Sequence, residues 1–228
     1  MRHTGARAGA SMNIEQARFN MIQQQVRPWN VLDDQILELL EEVKREDFCP
    51  AEHRDMAFMD LEIPIGHGQV MLTPRVQARL VQDLQLKPTD KVLQIGTGTG
   101  YMTALLASRS QQVQAFEIHP ELVKQTADNL RKAGISNVDL RHGDGLAGAL
   151  ANGPYDAIVL CGSVPAIPHE LQDKLATGGR LIGVVGHEPM MHVHLVTRAN
   201  SGTFDTVKPW DVIIPRLEGF PEVSRFRF

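Results

Sequence analysis

Three short stretches carry residues whose types and spacing suit the binding of one small molecule. The stretch IGTGTGYMTALLA, residues 95–107, sets Gly96, Gly98 and Gly100 between an apolar run and a helical pattern. Glycines there let the chain turn tightly and approach a ligand closely, and Thr97 and Thr99 between them add hydroxyls. The spacing is GxGxG. A dinucleotide fingerprint would need its third glycine where Tyr101 stands, and no Lys-Ser or Lys-Thr follows as a P-loop requires. Seventeen positions beyond Gly100, Glu117 closes the next apolar run. A carboxylate at that point accepts from both hydroxyls of a ribose and repels a phosphate. In RHGDGLAG, residues 141–148, Asp144 is placed to accept from an adenine amino group, and Gly145 leaves space beside the ring. Each stretch alone also has a plain reading, as a glycine turn, a solvated acid or an Asx turn. Their shared register after three successive strands points to an adenosine group without phosphates, most simply S-adenosylmethionine.

The elements that must position these residues follow from periodicity. Residues 91–95, 112–118, 137–141, 155–160 and 180–185 read as short buried strands, and 101–108, 120–133 and 168–175 as helices between them. Alternation of this kind predicts an α/β fold, a doubly wound Rossmann-like sheet with helices on both faces. Residues 74–84 give a further amphipathic helix. Upstream, helical spacing over 12–26, stopped by Pro28, and over 33–44, opened by Asp33 and Asp34, predicts an N-terminal helical cap spanning about residues 12–60. Downstream, 192–198 and 210–215 are two strand patterns joined by a loop, expected to pair as antiparallel edge strands. Residues 1–11 are expected to be a disordered extension and 12–228 a single domain.

Composition narrows the setting. The 228 residues carry a formal charge of −4 and no long basic run, which disfavours nucleic acid as a partner. No apolar run has the length of a membrane span, and residues 1–11 lack the apolar segment of a signal peptide. Cys49 and Cys161 stand apart in apolar surroundings and match neither a disulfide framework nor a CxxC pair. A reducing, cytoplasmic location is expected.

Other candidates for chemistry are weaker. His192 and His194 share a strand face with His187 nearby, but no acidic or cysteine partner stands at ligand spacing, so edge-strand histidines and no metal are expected. Cys161 and Ser163 follow the fourth strand, where a loop lining the cleft is the economical reading. Met190-Met191 and the terminal FRF read as packing or surface features.

From about Met12 to Pro215 the sequence resembles the protein-L-isoaspartate O-methyltransferases. PIGHGQ, VLQIGTGTGYMTALLA, Glu117, RHGDG, PYDAIVLCGSVPAIP and LATGGRLIGVVG carry the resemblance. It implies that Gly96 to Gly100 wrap S-adenosylmethionine, that Glu117 holds its ribose, and that Asp144 and Gly145 flank its adenine. It also implies that Gln69, Val70 and Leu72 lie beside its reactive end, and that the acceptor is a carboxylate on a protein or peptide. The resemblance departs at the loop before Pro74. Where the family reads QTIS-x-P, this chain reads Gln69-Val70-Met71-Leu72-Thr73-Pro74, so Val70 and Leu72 replace the hydroxyl residues and no serine stands at the usual catalytic position. Gln77 occupies a position that is often a donor-contacting polar residue. A carboxylate is ionised at neutral pH, so transfer from a sulfonium needs alignment and desolvation more than a base. The altered loop keeps other readings open, a different acceptor or a donor-binding protein without transfer activity; an NAD-dependent enzyme is a more distant reading because of the glycine spacing.

Overall fold

The computed structural model describes residues 13–221; the expectations for residues 1–11 and for the terminal FRF lie outside them. Helix α1 (Ile14–Met21) opens at Asn13, whose side chain accepts from the Gln16 amide at 3.1 Å. The expected helix over 12–26 is α-helical only to Met21, continuing as a π-helical turn over Ile22–Val26 and a 3₁₀ turn over Arg27–Trp29. Pro28 has no amide to extend the ladder, and Asn30 reverses the chain at φ 63°. Helix α2 (Asp34–Glu42) is capped by Asp33, which accepts from the Gln35 amide at 2.9 Å, and buries Ile36, Leu37, Leu39 and Leu40.

The stretch before Pro74, expected as a loop, is an antiparallel hairpin of β1 (Ile63–Gly66) and β2 (Gln69–Met71). Its turn needs three successive positive φ angles, at Gly66, His67 and Gly68, and two glycines make that affordable. Helix α3 (Pro74–Leu84) then starts with Pro74 in its first turn.

The sheet is built from β3 (Lys91–Ile95), β4 (Gln112–Glu117), β5 (Val138–His142), β6 (Tyr155–Val164), β7 (Leu175–His187), β8 (Met190–Asn200) and β9 (Thr203–Val207), in the order β5-β4-β3-β6-β7-β8-β9. The strands from β5 to β7 run parallel, and β8 is antiparallel to both neighbours. Helices α4 (Tyr101–Ala107) and α5 (Pro120–Lys132) share a core with α3 and the cap, while α6 (Gly145–Leu150) and α7 (His169–Gln172) share a second core with Leu217 and Phe220. Val113 and Ala115 face the first core and Phe116 the second, the period-two alternation of a sheet covered on both faces.

Three expectations need correction. The partner of β8 is Thr203–Val207; residues 210–215 run past the sheet, touching β8 through the single bridge His192–Asp211. The edge strand is therefore β9, and His192 and His194 sit on an inner strand. The expected helix over 168–175 shrinks to α7, because Leu175 already pairs with Tyr155 and the Gly178-Gly179 step lies inside a register shift of β7. Strand β6 runs on to Val164, so Cys161 and Ser163 belong to a strand end and not to a following loop.

Candidate active site

Strand order reverses at β3: β4 lies on one side and β6 on the other. Beyond the carboxyl ends of these strands a crevice forms, the place where doubly wound sheets take their ligands. A cavity occupies it. Its walls are the glycine loop, the end of β4, the β1–β2 hairpin with Leu72, Gly143 and Gly145 at the start of α6, Cys161, and a C-terminal strap bearing Leu217 and Glu218.

The glycine loop is shaped by positive φ at Gly96, Gly98 and Gly100. Helix α5 braces it from behind: Thr126 Oγ1 donates to the Gly98 carbonyl and Asn129 Nδ2 to the Thr99 carbonyl, both at 2.9 Å. With those carbonyls bound on the outside, the loop turns its amides inward. Glu117 Oε2 accepts from the amides of Thr97 and Gly98, each at 2.9 Å, and Oε1 accepts from the His119 amide at 3.1 Å. The carboxylate is thus fixed by backbone donors while one lone pair of Oε1 stays free for another partner. Thr99 Oγ1 is buried with no partner, an orphan polar atom in the same wall.

Gly145 is required by space. A Cβ there would lie 2.4 Å from Ile95 Cγ2, so α6 can seat against β3 only through a glycine. Asp144 caps that helix, its Oδ1 accepting from the amides of Leu146 at 2.8 Å and Ala147 at 3.2 Å. Gln69, Val70, Leu72, Gly96, Thr97, Gly98, Thr99, Glu117 and Gly145 all line the cavity; Asp144 and Gly100 lie beside it.

The hairpin closes the other side. Its tip residue His67 stacks on His119 with ring centroids 4.5 Å apart and planes 20° from parallel. Glu218 reaches in from the strap, accepting from Gln69 Nε2 at 2.7 Å. Leu217 is anchored by its amide to the Ser163 carbonyl at 2.9 Å, and Ser163 donates its own amide to the Pro215 carbonyl at 2.8 Å. Ser163 therefore holds the strap and is fully buried. Cys161 lines the cavity, but burial pushes its thiol up to about 12, which keeps it protonated and a poor nucleophile.

Behind Leu72, Arg45 is fully buried and donates to the carbonyls of Leu72 and Ala57 and to Gln77 Oε1. Sequence reasoning missed Arg45, His119, Leu217 and Glu218. Arg45 sits in the polar run KRED, which reads as solvated surface, and Glu218 lies 149 positions from its partner Gln69. Of the histidines on and beside β8, His192 pairs with Asp211 and His187 with Arg216. Among the described residues no cluster of three or more His, Cys, Asp or Glu side chains is arranged to hold a metal ion.

Comparison with known proteins agrees with this geometry. The protein-L-isoaspartate(D-aspartate) O-methyltransferase family model matches residues 16–214. The chain is 36% identical to protein-L-isoaspartate O-methyltransferase 2 of Marinobacter nauticus over 213 residues, 92% of this chain and 97% of that protein. It is 36% identical to the protein-L-isoaspartate O-methyltransferase of Yersinia enterocolitica, covering 84% and 92% of the two chains. In fold it is similar to a Plasmodium falciparum structure assigned as a protein-L-isoaspartate O-methyltransferase in complex with S-adenosyl-L-homocysteine, with a TM-score of 0.75, 22% identity, and 92% and 100% of the two chains covered. The family match takes in the cap, the hairpin, the glycine loop and the sheet up to residue 214, and the chain belongs to the protein-L-isoaspartate(D-aspartate) O-methyltransferase family.

Proposed function

We propose that this protein is an S-adenosylmethionine-dependent methyltransferase that esterifies the free carboxyl group of L-isoaspartyl residues in damaged proteins or peptides. The observation that carries the reading is the pairing of Glu117 with the glycine-loop amides inside a cavity at the switch point of the sheet. The residues suit the donor: a carboxylate with a spare lone pair for a ribose, and an orphan hydroxyl on Thr99 in the same cavity wall. We assign donor binding to Gln69, Val70, Leu72, Gly96, Thr97, Gly98, Thr99, Gly100, Glu117, Asp144 and Gly145. For Asp144 the assignment rests on Oδ2, since Oδ1 is engaged in capping α6.

When bound, the donor supplies an electrophilic methyl group on a cationic sulfur. The chain's own contribution is alignment and exclusion of water. Transfer between an anionic carboxylate and a cationic sulfur cancels both charges, so walls that withhold water favour the transition state over the separated ions. Val70, Met71 and Leu72 form such a wall. No proton has to be removed from the acceptor, so the reaction asks no general base of the hairpin wall.

The replacement of both loop hydroxyls by Val70 and Leu72 favours a second reading, a methyltransferase with another carboxylate acceptor. Methyl transfer to an isoaspartyl peptide and to its aspartyl counterpart separates the two. Transfer to the first alone supports the isoaspartyl reading, and transfer to neither, with S-adenosylhomocysteine still bound, moves the assignment to another acceptor. Among the described residues no helix is long and apolar enough to cross a membrane. Both thiols are free, which supports a reducing, cytoplasmic setting.

A further inference from the structure

A carboxylate already sits in the cavity wall beside the hairpin. Glu218 Oε1 accepts from Gln69 Nε2 at 2.7 Å and lies 3.4 Å from His119 Nε2. That imidazole nitrogen is buried and has no hydrogen-bond partner, so it presents an unsatisfied polar atom toward whatever occupies the place of Glu218. The ring is held in that direction by its stack on His67. Among the described residues that line the cavity, Glu117 and Glu218 are the carboxylates, and Glu117 is fixed by the glycine loop. Val70 and Leu72 offer no side-chain donor on this wall.

Resting on the isoaspartyl reading above, we propose that Glu218 marks the seat of the acceptor: the substrate carboxylate displaces it and is positioned by Gln69 Nε2 and His119 Nε2. These two donors replace the hydroxyl that the loop lacks. The strap permits the exchange. Leu217 stays anchored to Ser163 while the Glu218 side chain, 45% exposed, swings outward on its own rotors. In the absence of substrate Glu218 satisfies Gln69 and keeps the seat filled, so the enzyme favours acceptors that present a carboxylate capable of replacing it.

The test is calorimetric titration of the S-adenosylhomocysteine-loaded protein with an isoaspartyl peptide, using the pre-esterified peptide as the neutral control, alongside steady-state methylation. Glu218→Gln removes the competing charge and is expected to tighten peptide binding by about threefold to fivefold. Glu121→Gln removes an equal charge from an exposed position 3.4 Å from His67, outside the lining of the cavity, and is expected to leave binding within about twofold. His119→Phe keeps the stacked ring but loses the donor; peptide binding should weaken about tenfold, with the effect in KM more than kcat. His119→Gln should recover most of that loss. Glu218→Gln binding no tighter than wild type, equal tightening in Glu121→Gln, an unaltered His119→Phe, or equal binding of the esterified peptide would each overturn the proposal. These results leave the isoaspartyl reading standing so long as the wild-type protein methylates the peptide. A wild-type protein that neither binds nor methylates it removes both.

Discussion

Arg45 donates from Nη2 to the carbonyl oxygen of Leu72 at 2.8 Å, tying the helical cap to the segment between the hairpin and α3. The same guanidinium donates from Nε to the Ala57 carbonyl at 3.0 Å, reaches Gln77 Oε1 on α3, and lies over the Tyr101 ring at 5.3 Å. Burial pushes its pKa down, and the fields of Tyr101, Cys49 and Asp60 push the other way. A single side chain thus joins the cap, the end of the hairpin, α3 and α4. That junction adds to the β1–β2 pairing in holding the backbone around Leu72 against the cavity.

Replacing Arg45 with Met should therefore cost both stability and activity. The variant leaves up to three buried acceptors without a donor, at about 1–3 kcal/mol each, so a loss of about 3 kcal/mol or more is expected. Arg45→Lys should recover only part of it, because a single ammonium cannot match the planar fork. Urea unfolding gives the first number and kcat/KM on an isoaspartyl peptide the second. A stability change under about 1 kcal/mol would show that the junction carries little.

Gly145→Ala tests whether α6 must lie against β3. The added methyl would stand 2.4 Å from Ile95 Cγ2 and 3.1 Å from Cγ1, both branches of a rigid side chain. Overpacking of this kind typically costs about 1–3 kcal/mol, and α6 should shift away from the cavity. Affinity for S-adenosylhomocysteine is expected to fall together with the melting temperature, and Ile95→Ala in the same protein should restore both in part. If Gly145→Ala binds as tightly as the parent, this wall of the cavity does not contact the ligand.

The parallel core of the fold was legible in the sequence because β3, β4 and β6 are short apolar runs framed by glycine turns and amphipathic helices. Glycine spacing located the loop, and the acid closing β4 was identifiable as Glu117. The hairpin around His67 was not legible, since β1 and β2 have four and three residues and their turn mimics a helix entrance. Edge pairing was misassigned for a related reason: 210–215 has the better strand composition, but the two-residue turn at Ser201-Gly202 makes Thr203–Val207 the local partner. Arg45, His119 and Glu218 stayed hidden because their roles depend on contacts made across the tertiary fold. Nothing local distinguishes an arginine bound to a distant carbonyl from one bound by water.

Leu72→Ser puts a hydroxyl at the position where the family resemblance leads one to expect a serine, yet it is expected to bring no gain. Leu72 is 6% exposed and belongs to the apolar core, so exchanging it for a small polar side chain should lower stability by about 2–4 kcal/mol. If Gln69 and His119 hold the acceptor, kcat/KM on an isoaspartyl peptide should stay level or fall. A rise of about tenfold, comparable to a recovered hydrogen bond to a charged group, would instead show that the seat was short of a donor.

His194 on β8 gives a prediction about pH. Burial, reinforced by Lys208 and then His192, pushes its pKa below the ordinary histidine value. The unfolded chain, with a value near 6.5, then binds more protons than the folded one between the two pKa values. Because stability rises with pH wherever the unfolded state binds more protons, this contribution is complete above about pH 6.5 and is lost as the pH falls through the window below it. His194→Gln removes the titration and keeps a polar side chain, so its unfolding free energy should decline less than that of the parent between about pH 7.5 and pH 5.5. Urea unfolding of both proteins at several pH values measures the difference, in which shared contributions from the remaining histidines cancel. A difference that stays constant across that range would place His194 in a site where its protonation costs the fold nothing.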